Sequence, residues 1–285
     1  MSENVHPQAS RLDALSTREV LQLMQAEDRR AVDAVGQHLD EIAAAVDSIA
    51  GRIRAGGTLH YFGAGTSGRL AELDAIETGP TFGVESVLAH SAGDGAAEDD
   101  GGRGARDANA AGLRPGDAVV GVSASGRTAY VVEAIKVARA AESLVVTLSC
   151  AAGAPLSELA NIAIEIETGP EVIAGSTRLK AGTVQKTVLN MISTGVFVRL
   201  GRTYRGRMVG VVPANAKLQR RAVGLISDVA GASKAEAERA LEAAGGSARV
   251  AVLMLKCGLT AEQAADQLAA NDGDLAAALG ERARL

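Results

Sequence analysis

Two short stretches carry residue types suited to holding a phosphate. In the first, Gly63 to Gly68 (GAGTSG), glycines alternate with hydroxyl side chains directly after the apolar run Leu59 to Phe62, and a helical pattern opens behind it. Glycine lets the backbone turn sharply, and the N–H groups of a first helical turn have no intrahelical partners, so they point outward as donors. That is an anion cradle. Thr66 and Ser67 add hydroxyl donors that suit the several acceptor oxygens of a phosphate monoester. The second stretch, Gly121 to Thr128 (GVSASGRT), again follows an apolar run, again opens a helix, and repeats Ser67-Gly68-Arg69 as Ser125-Gly126-Arg127. Ser125 and Thr128 alone would read as helix caps; the recurrence favours a phosphosugar site. Substrate contacts are expected from Gly65, Thr66, Ser67 and Gly68 in the first loop, and from Ser123, Ser125, Gly126, Arg127 and Thr128 in the second.

The first loop also spells G-x-G-x-x-G, the dinucleotide fingerprint, with Gly63, Gly65 and Gly68 in register. A nicotinamide enzyme needs an acid at the far end of the next strand to hold the ribose. Glu85 has the right count but stands at the beginning of the run Val84 to Ala89, whose far end is His90-Ser91. The ribose reading loses its key residue.

Between the loops, His90 to Gly112 is polar, glycine-rich and acidic; Glu98-Asp99-Asp100 there is a solvated charge run unless chemistry calls for carboxylates beside a sugar. From Val172 to Ser227 there is no Asp or Glu but ten Lys or Arg. This charge asymmetry either draws in an anionic metabolite or offsets acidic neighbours across a subunit interface. Within it, Gly175 to Lys186 opens a long helix, and Ser176 and Lys180 join the candidate binding residues. Histidines His6, His38, His60 and His90 form no cluster in the sequence, no G-x-S-x-G surrounds Ser67 or Ser125, and no metal-ligand spacing occurs. No cofactor and no metal are expected.

The elements that must position these residues follow from periodicity. A helical pattern begins at Ser16-Thr17, with Glu19 near its first turn, and a longer one runs from about Arg29 to Arg54. Apolar runs at Leu59 to Phe62, Val84 to Ala89, Ala118 to Ser123, Leu144 to Ser149 and Ile162 to Ile166 alternate with helix-like segments. Such alternation predicts an α/β fold, a doubly wound, mainly parallel five-stranded sheet that binds ligands beyond the carboxyl ends of its strands. The helix after the first loop is expected to end at Gly79-Pro80. The tail from about Ala214 is expected to be helical throughout, with capping-box spacings at Ser233/Glu236 and Thr260/Gln263, ending in a compact module of the ubiquitin-associated type at Leu259 to Leu279. The expected division is an N-terminal helical segment (1–55), a phosphosugar-binding domain (56–213) and a C-terminal helical domain (214–285).

With 285 residues, 47% of them hydrophobic, the chain can bury a sizeable core built on Ala and Gly, since aromatics are 2% and Trp is absent. A net charge of −5 and the lack of aromatics to stack bases argue against nucleic acid. No apolar run is long enough for a bilayer, and Cys150 and Cys257 form no CxxC, which suits a reducing cytoplasm.

With GAGTSGRLAELDAIETGPTFG at 63–83, LDALST near the start, AEDD around Glu98, ASGRT at 124–128, GSTRLKAGT-x-QK and VLNMIST at 188–194, the chain resembles bacterial N-acetylmuramic acid 6-phosphate etherases of the sugar-isomerase (SIS) superfamily. The resemblance covers nearly the whole length. It implies cleavage of the D-lactyl ether of a phosphorylated amino sugar by elimination and water addition, in a homodimer, with Glu77 as acid and Glu98 as base. Chemistry imposes the same requirement: a C2 proton beside an aldehyde is removable by a carboxylate held close and tuned, with its partner protonated. Among Leu73, Ile76 and Pro80, Glu77 is expected to be partly buried, which would raise its pKa; Asp99 and Asp100 would raise that of Glu98 by like charge. Ile76, Thr78 and Gly79 depart from the family's usual residues, and the segment before Glu98 is several residues shorter, so that Asp94 or Asp99 could stand in for a displaced Glu98. The non-catalytic alternative is a sugar-phosphate sensor like the glucokinase regulatory proteins; an aldose-ketose isomerase would want a recruited His or Lys.

Overall fold

The computed structural model describes residues 4–93, 95–210 and 216–281. The chain divides into two compact units, one of Met1–Ile76 and Ser86–Gly195, the other of Glu77–Glu85 and Val196–Leu285.

The first unit opens with helices α1 (Thr17–Val35) and α2 (Leu39–Arg54), separated by a tight turn at Gly36–His38. The break falls at Gly36, later than the periodicity suggests, because one apolar stripe runs through both helices. α1 starts on a capping box: Ser16 Oγ accepts from the Glu19 N–H, and the Glu19 carboxylate accepts from the Ser16 N–H at 2.8 Å. The sheet follows: β1 (Leu59–Gly63), α3 (Gly65–Phe82), β2 (Val87–Ser91), α4 (Gly101–Ala110), β3 (Ala118–Ser123), α5 (Ala129–Ala140), β4 (Leu144–Ser149), β5 (Ile162–Glu165), then α6 (Lys180–Arg199). All strands are parallel in the order β2-β1-β3-β4-β5. β1 and β3 are therefore adjacent, their following helices leave in opposite directions along the sheet, and the chain's two glycine-serine loops open side by side at this switch point.

The central strands are buried on both faces, as β3 shows from Ala118 to Ser123, which is why they read as continuous apolar runs. Phe62, Val119 and Val145 meet Tyr130, Val131, Ile135 and Ala108 of α4 and α5 on one face. β2 starts at Val87, later than expected, so His90 and Ser91 lie inside the strand. α3 likewise runs past Gly79-Pro80 to Phe82. Pro80 lacks the N–H that would bond Ile76, but it stands in the last turns, where the Thr81 hydroxyl donates to the Glu77 carbonyl at 2.7 Å and the Gly83 N–H to Gly79 at 2.8 Å.

The second unit holds the hairpin β6–β7 (Thr203–Tyr204, Arg207–Met208), turned by Arg205 and Gly206 at φ +47° and +73°, and helices α7 (Ala216–Ala230), α8 (Lys234–Ala243), α9 (Ala248–Cys257), α10 (Ala261–Ala269) and α11 (Leu275–Ala278). Its core is small and aliphatic, with Ile226, Leu241, Leu253 and Leu275 at its centre. Both spacings read as capping boxes form, at Ser233/Glu236 and Thr260/Gln263. No described helix is long and apolar enough to cross a membrane.

Candidate active site

Each glycine of the first loop is there for a physical reason. Gly63 and Gly68 let strand and helix approach until backbone touches backbone: a Cβ at Gly63 would stand 2.8 Å from the Gly68 Cα, and one at Gly68 would overlap the Ser91 hydroxyl. Gly65 sits at φ +54°, in the left-handed region, and a Cβ there would overlap Oε1 of Glu98. The Glu98 carboxylate thus rests against the first residue of α3. The Gly65 N–H donates to the Gly93 carbonyl at 2.7 Å, and the first bond internal to the helix runs from the Gly68 N–H to Ala64 at 3.1 Å, leaving Thr66 and Ser67 at the turn whose N–H groups precede it.

Despite the shortened segment before it, Glu98 is fixed at both sides of its peptide: its N–H donates to Gly95 at 2.9 Å, and its carbonyl accepts from Tyr130 at 3.1 Å, at the start of α5. The neighbouring acids have other tasks. Asp100 caps α4, its carboxylate accepting from the Arg103 N–H at 2.8 Å, and Asp99 is exposed. Asp94 lies outside the described residues.

Ser67 departs from its expected orientation. It is buried, and its hydroxyl meets Oε1 of Gln185 on α6 at 3.0 Å. Gln185 is 1% exposed. Its Nε2 has no hydrogen-bond partner among the described residues. Turning that amide over would make Gln185 the donor and free the Ser67 proton for a phosphate oxygen. Residue chemistry gave no sign of this role; the only sequence signal was that Gln185 is the Gln of GSTRLKAGT-x-QK.

In the second loop, the hydroxyls of Ser123 and Thr128 bond each other at 2.8 Å, and Ser123 Oγ accepts from the Gly126 N–H at 3.1 Å. Thr128 occupies the N-cap position of α5, yet its hydroxyl makes no cap bond. Ser125 is exposed and accepts from the Arg127 N–H at 3.2 Å; Arg127 is exposed beside it. Gly126, at φ +64°, packs where a Cβ would overlap Ala154. The loop opens on a cavity of about 220 Å³ lined by Ser125, Arg127, Cys150, Ala154, Thr168 and Thr177. Burial pushes the Cys150 thiol up to about 12, so it is protonated and supplies no nucleophile. Ser176 is half-buried next to Thr177.

Lys180 is committed elsewhere. Only 3% exposed, its ammonium donates to Glu27 of α1 at 2.8 Å, and Glu171 accepts from the N–H groups of Lys180 and Ala181 at 3.0 and 3.1 Å. The N-terminus of α6 already holds a carboxylate, and Lys180 ties α1 to it rather than facing a ligand.

Glu77 differs from expectation in its surroundings. The buried stripe of α3 is Ser67, Ala71, Asp74 and Thr78, which turns Leu73, Ile76 and Glu77 the other way: Leu73 is 43% and Ile76 72% exposed, and Glu77 and Pro80 are exposed too. The burial expected around Glu77 is absent. His60 and His90 also correct the reading of unclustered histidines. Nδ1 of His60 lies 3.1 Å from Nε2 of His90, because β1 and β2 are paired neighbours. Burial first, then the neighbouring His90, brings His60 down to about 4; burial lowers His90 too.

Residues 25–150 match the family model described as SIS domain. Over 294 aligned residues, 100% of this chain and 97% of the other, the chain is 46% identical to the N-acetylmuramic acid 6-phosphate etherase of Rubrobacter xylanophilus. The chain belongs to the N-acetylmuramic acid 6-phosphate etherase family. Another member of that family, from Mycolicibacterium smegmatis, is 44% identical over 98% of this chain and 97% of its own. Among solved structures, the phosphoheptose isomerase of Francisella tularensis superposes with a TM-score of 0.53 at 15% identity, covering 65% of this chain and 100% of that one. That likeness shows the fold.

Proposed function

We propose that this etherase-family chain cleaves the D-lactyl ether of N-acetylmuramate 6-phosphate, giving N-acetylglucosamine 6-phosphate and D-lactate in the recycling of cell-wall amino sugars. The observation that carries the mechanism is the Glu98 carboxylate resting on Gly65 at the mouth of the phosphate loop. With the 6-phosphate held by the loop N–H groups and by Ser125 and Thr128, the open-chain aldehyde acidifies the proton at C2. Glu98 removes it, leaving the electron pair in the enolate of the aldehyde; the pair then forms the C2–C3 double bond while the C3–O bond to lactate breaks and Glu77 gives the departing oxygen a proton. Water then adds at C3 and a proton returns to C2, so the net change is addition of one water. The acid role is given to Glu77 on the strength of the family resemblance. The seat of Glu98 beside the loop supports the base role, and the relatives carrying the etherase name support turnover rather than a sensor.

The enzyme is proposed to work as a cytoplasmic homodimer, a second copy covering the exposed Leu73 and Ile76 of α3 and Met191 of α6. The test is release of D-lactate from N-acetylmuramate 6-phosphate. Wild-type protein releases it, while Glu98→Gln and Glu77→Gln lose 10²–10⁴-fold in rate, the usual worth of a positioned acid or base; a Glu98→Gln variant at wild-type rate sinks the assignment.

A further inference from the structure

In the second unit, two guanidinium groups from distant parts of the chain meet, and among the described residues neither has an ion pair with an acid. Arg202 follows α6, Arg249 lies on α9, and Gly273 precedes α11. Gly273 has φ +75°, and a side chain beginning there would meet Arg249 Nη1 at 3.0 Å and Arg202 Nη1 at 3.8 Å. Both forks therefore flank one niche that a Cβ would fill. Arg249 Nη1 donates to the Gly273 carbonyl at 2.8 Å, which anchors that guanidinium. Arg202 is different: its Nε is buried and has no hydrogen-bond partner among the described residues.

Of the acids nearby in sequence, Asp272 is exposed, and two others have bonds of their own. Asp274 accepts from the N–H groups of Ala276 and Ala277, capping α11, and Glu281 takes Tyr204, Arg205 and Lys256. Burial, and for Arg249 also the like charge of Arg202, lowers both arginines, Arg249 to about 10. Two desolvated like charges and a buried N–H without a partner are each unfavourable, and an oxyanion seated between the forks relieves both at once. Arginine forks match tetrahedral oxyanions by paired N–H donors.

We propose that Arg202, Arg249 and the niche at Gly273 form a binding site for a dianionic phosphate group in the C-terminal unit. It takes either free phosphate or the phosphate of a small ester, and it stabilises the unit that holds it.

The glycine loops also take phosphate, so the test compares melting temperatures of full-length wild type and Arg202→Met, in which the loops are the same. In chloride buffer Arg202→Met melts no lower than wild type, since it removes one of two uncompensated charges. At ten times the dissociation constant for inorganic phosphate, at matched ionic strength, wild type gains roughly 3–6 °C more than the variant does. Equal gains overturn the site, as does an Arg202→Met chain that melts far below wild type in chloride. Should Arg202→Met not be recovered folded, Arg202→Lys keeps the charge without the fork; it should retain less than half of the wild-type increment, and full retention counts against the proposal. Glycerol phosphate in a parallel arm distinguishes the sources: an increment like that of inorganic phosphate assigns an ester, and an increment with inorganic phosphate alone assigns the free ion.

Discussion

Gly65 shows how much one residue can be asked to do. It supplies the left-handed turn into α3 and the space that Glu98 occupies. Gly65→Ala is therefore expected to cost about 1–2 kcal/mol in backbone strain and to push the carboxylate off its seat, lowering the rate roughly 10²-fold in a lactate-release assay, with a smaller effect on KM. Gln185→Leu tests the amide behind Ser67: it leaves the Ser67 hydroxyl without its buried partner, and KM for the sugar phosphate should rise several-fold. A KM unchanged by Gln185→Leu would show that Ser67 needs no support. At this scale the loops were legible in the sequence because glycine and hydroxyl side chains recur beside apolar runs. Gln185 and Glu171 were not: a buried amide and a buried capping carboxylate have no local signature, since their partners lie far along the chain.

Elements are held together by a few buried polar ties. Lys180 with Glu27 joins α6 to α1; Asp74 of α3 accepts from Tyr61 of β1 at 3.0 Å and Ser193 of α6 at 3.1 Å, with Lys186 at 3.8 Å. Removing one partner of a buried pair strands the other, so Lys180→Met is expected to lose about 3–5 kcal/mol in denaturant unfolding, with Glu27→Gln/Lys180→Met together losing less. The stacked His60 and His90 give the strand pair a pH dependence. Folding lowers the pKa of His60 from 6.5 to about 4, so the unfolded chain binds more protons in that window; its contribution is complete above about pH 6.5 and disappears as pH falls towards 4. His60→Phe should flatten that part of the stability profile by about 3 kcal/mol; an unchanged profile would refute it. Strand positions were legible because buried parallel strands are continuous apolar runs. Register was not, and with it went the histidine pair: only the pairing of β1 with β2 brings them together.

At the scale of the whole molecule, the basic stretch from 172 to 227 finds acids elsewhere in its own chain, Lys180 with Glu27, Lys186 with Asp74, Arg205 with Glu281 and Arg207 with Asp228. The asymmetry was visible in the sequence, but its resolution needed the fold. Exposed Leu73 and Ile76 predict a dimer by sedimentation, and Ile76→Asp should shift it towards monomer. The central claim concerns the whole enzyme at work: Glu98, seated on Gly65, takes the C2 proton before Glu77 is needed. Exchange of that proton for deuterium, followed by NMR in D2O with N-acetylmuramate 6-phosphate, tests it most directly. Wild type and Glu77→Gln should both exchange it while Glu98→Gln does not; exchange persisting in Glu98→Gln would contradict the account.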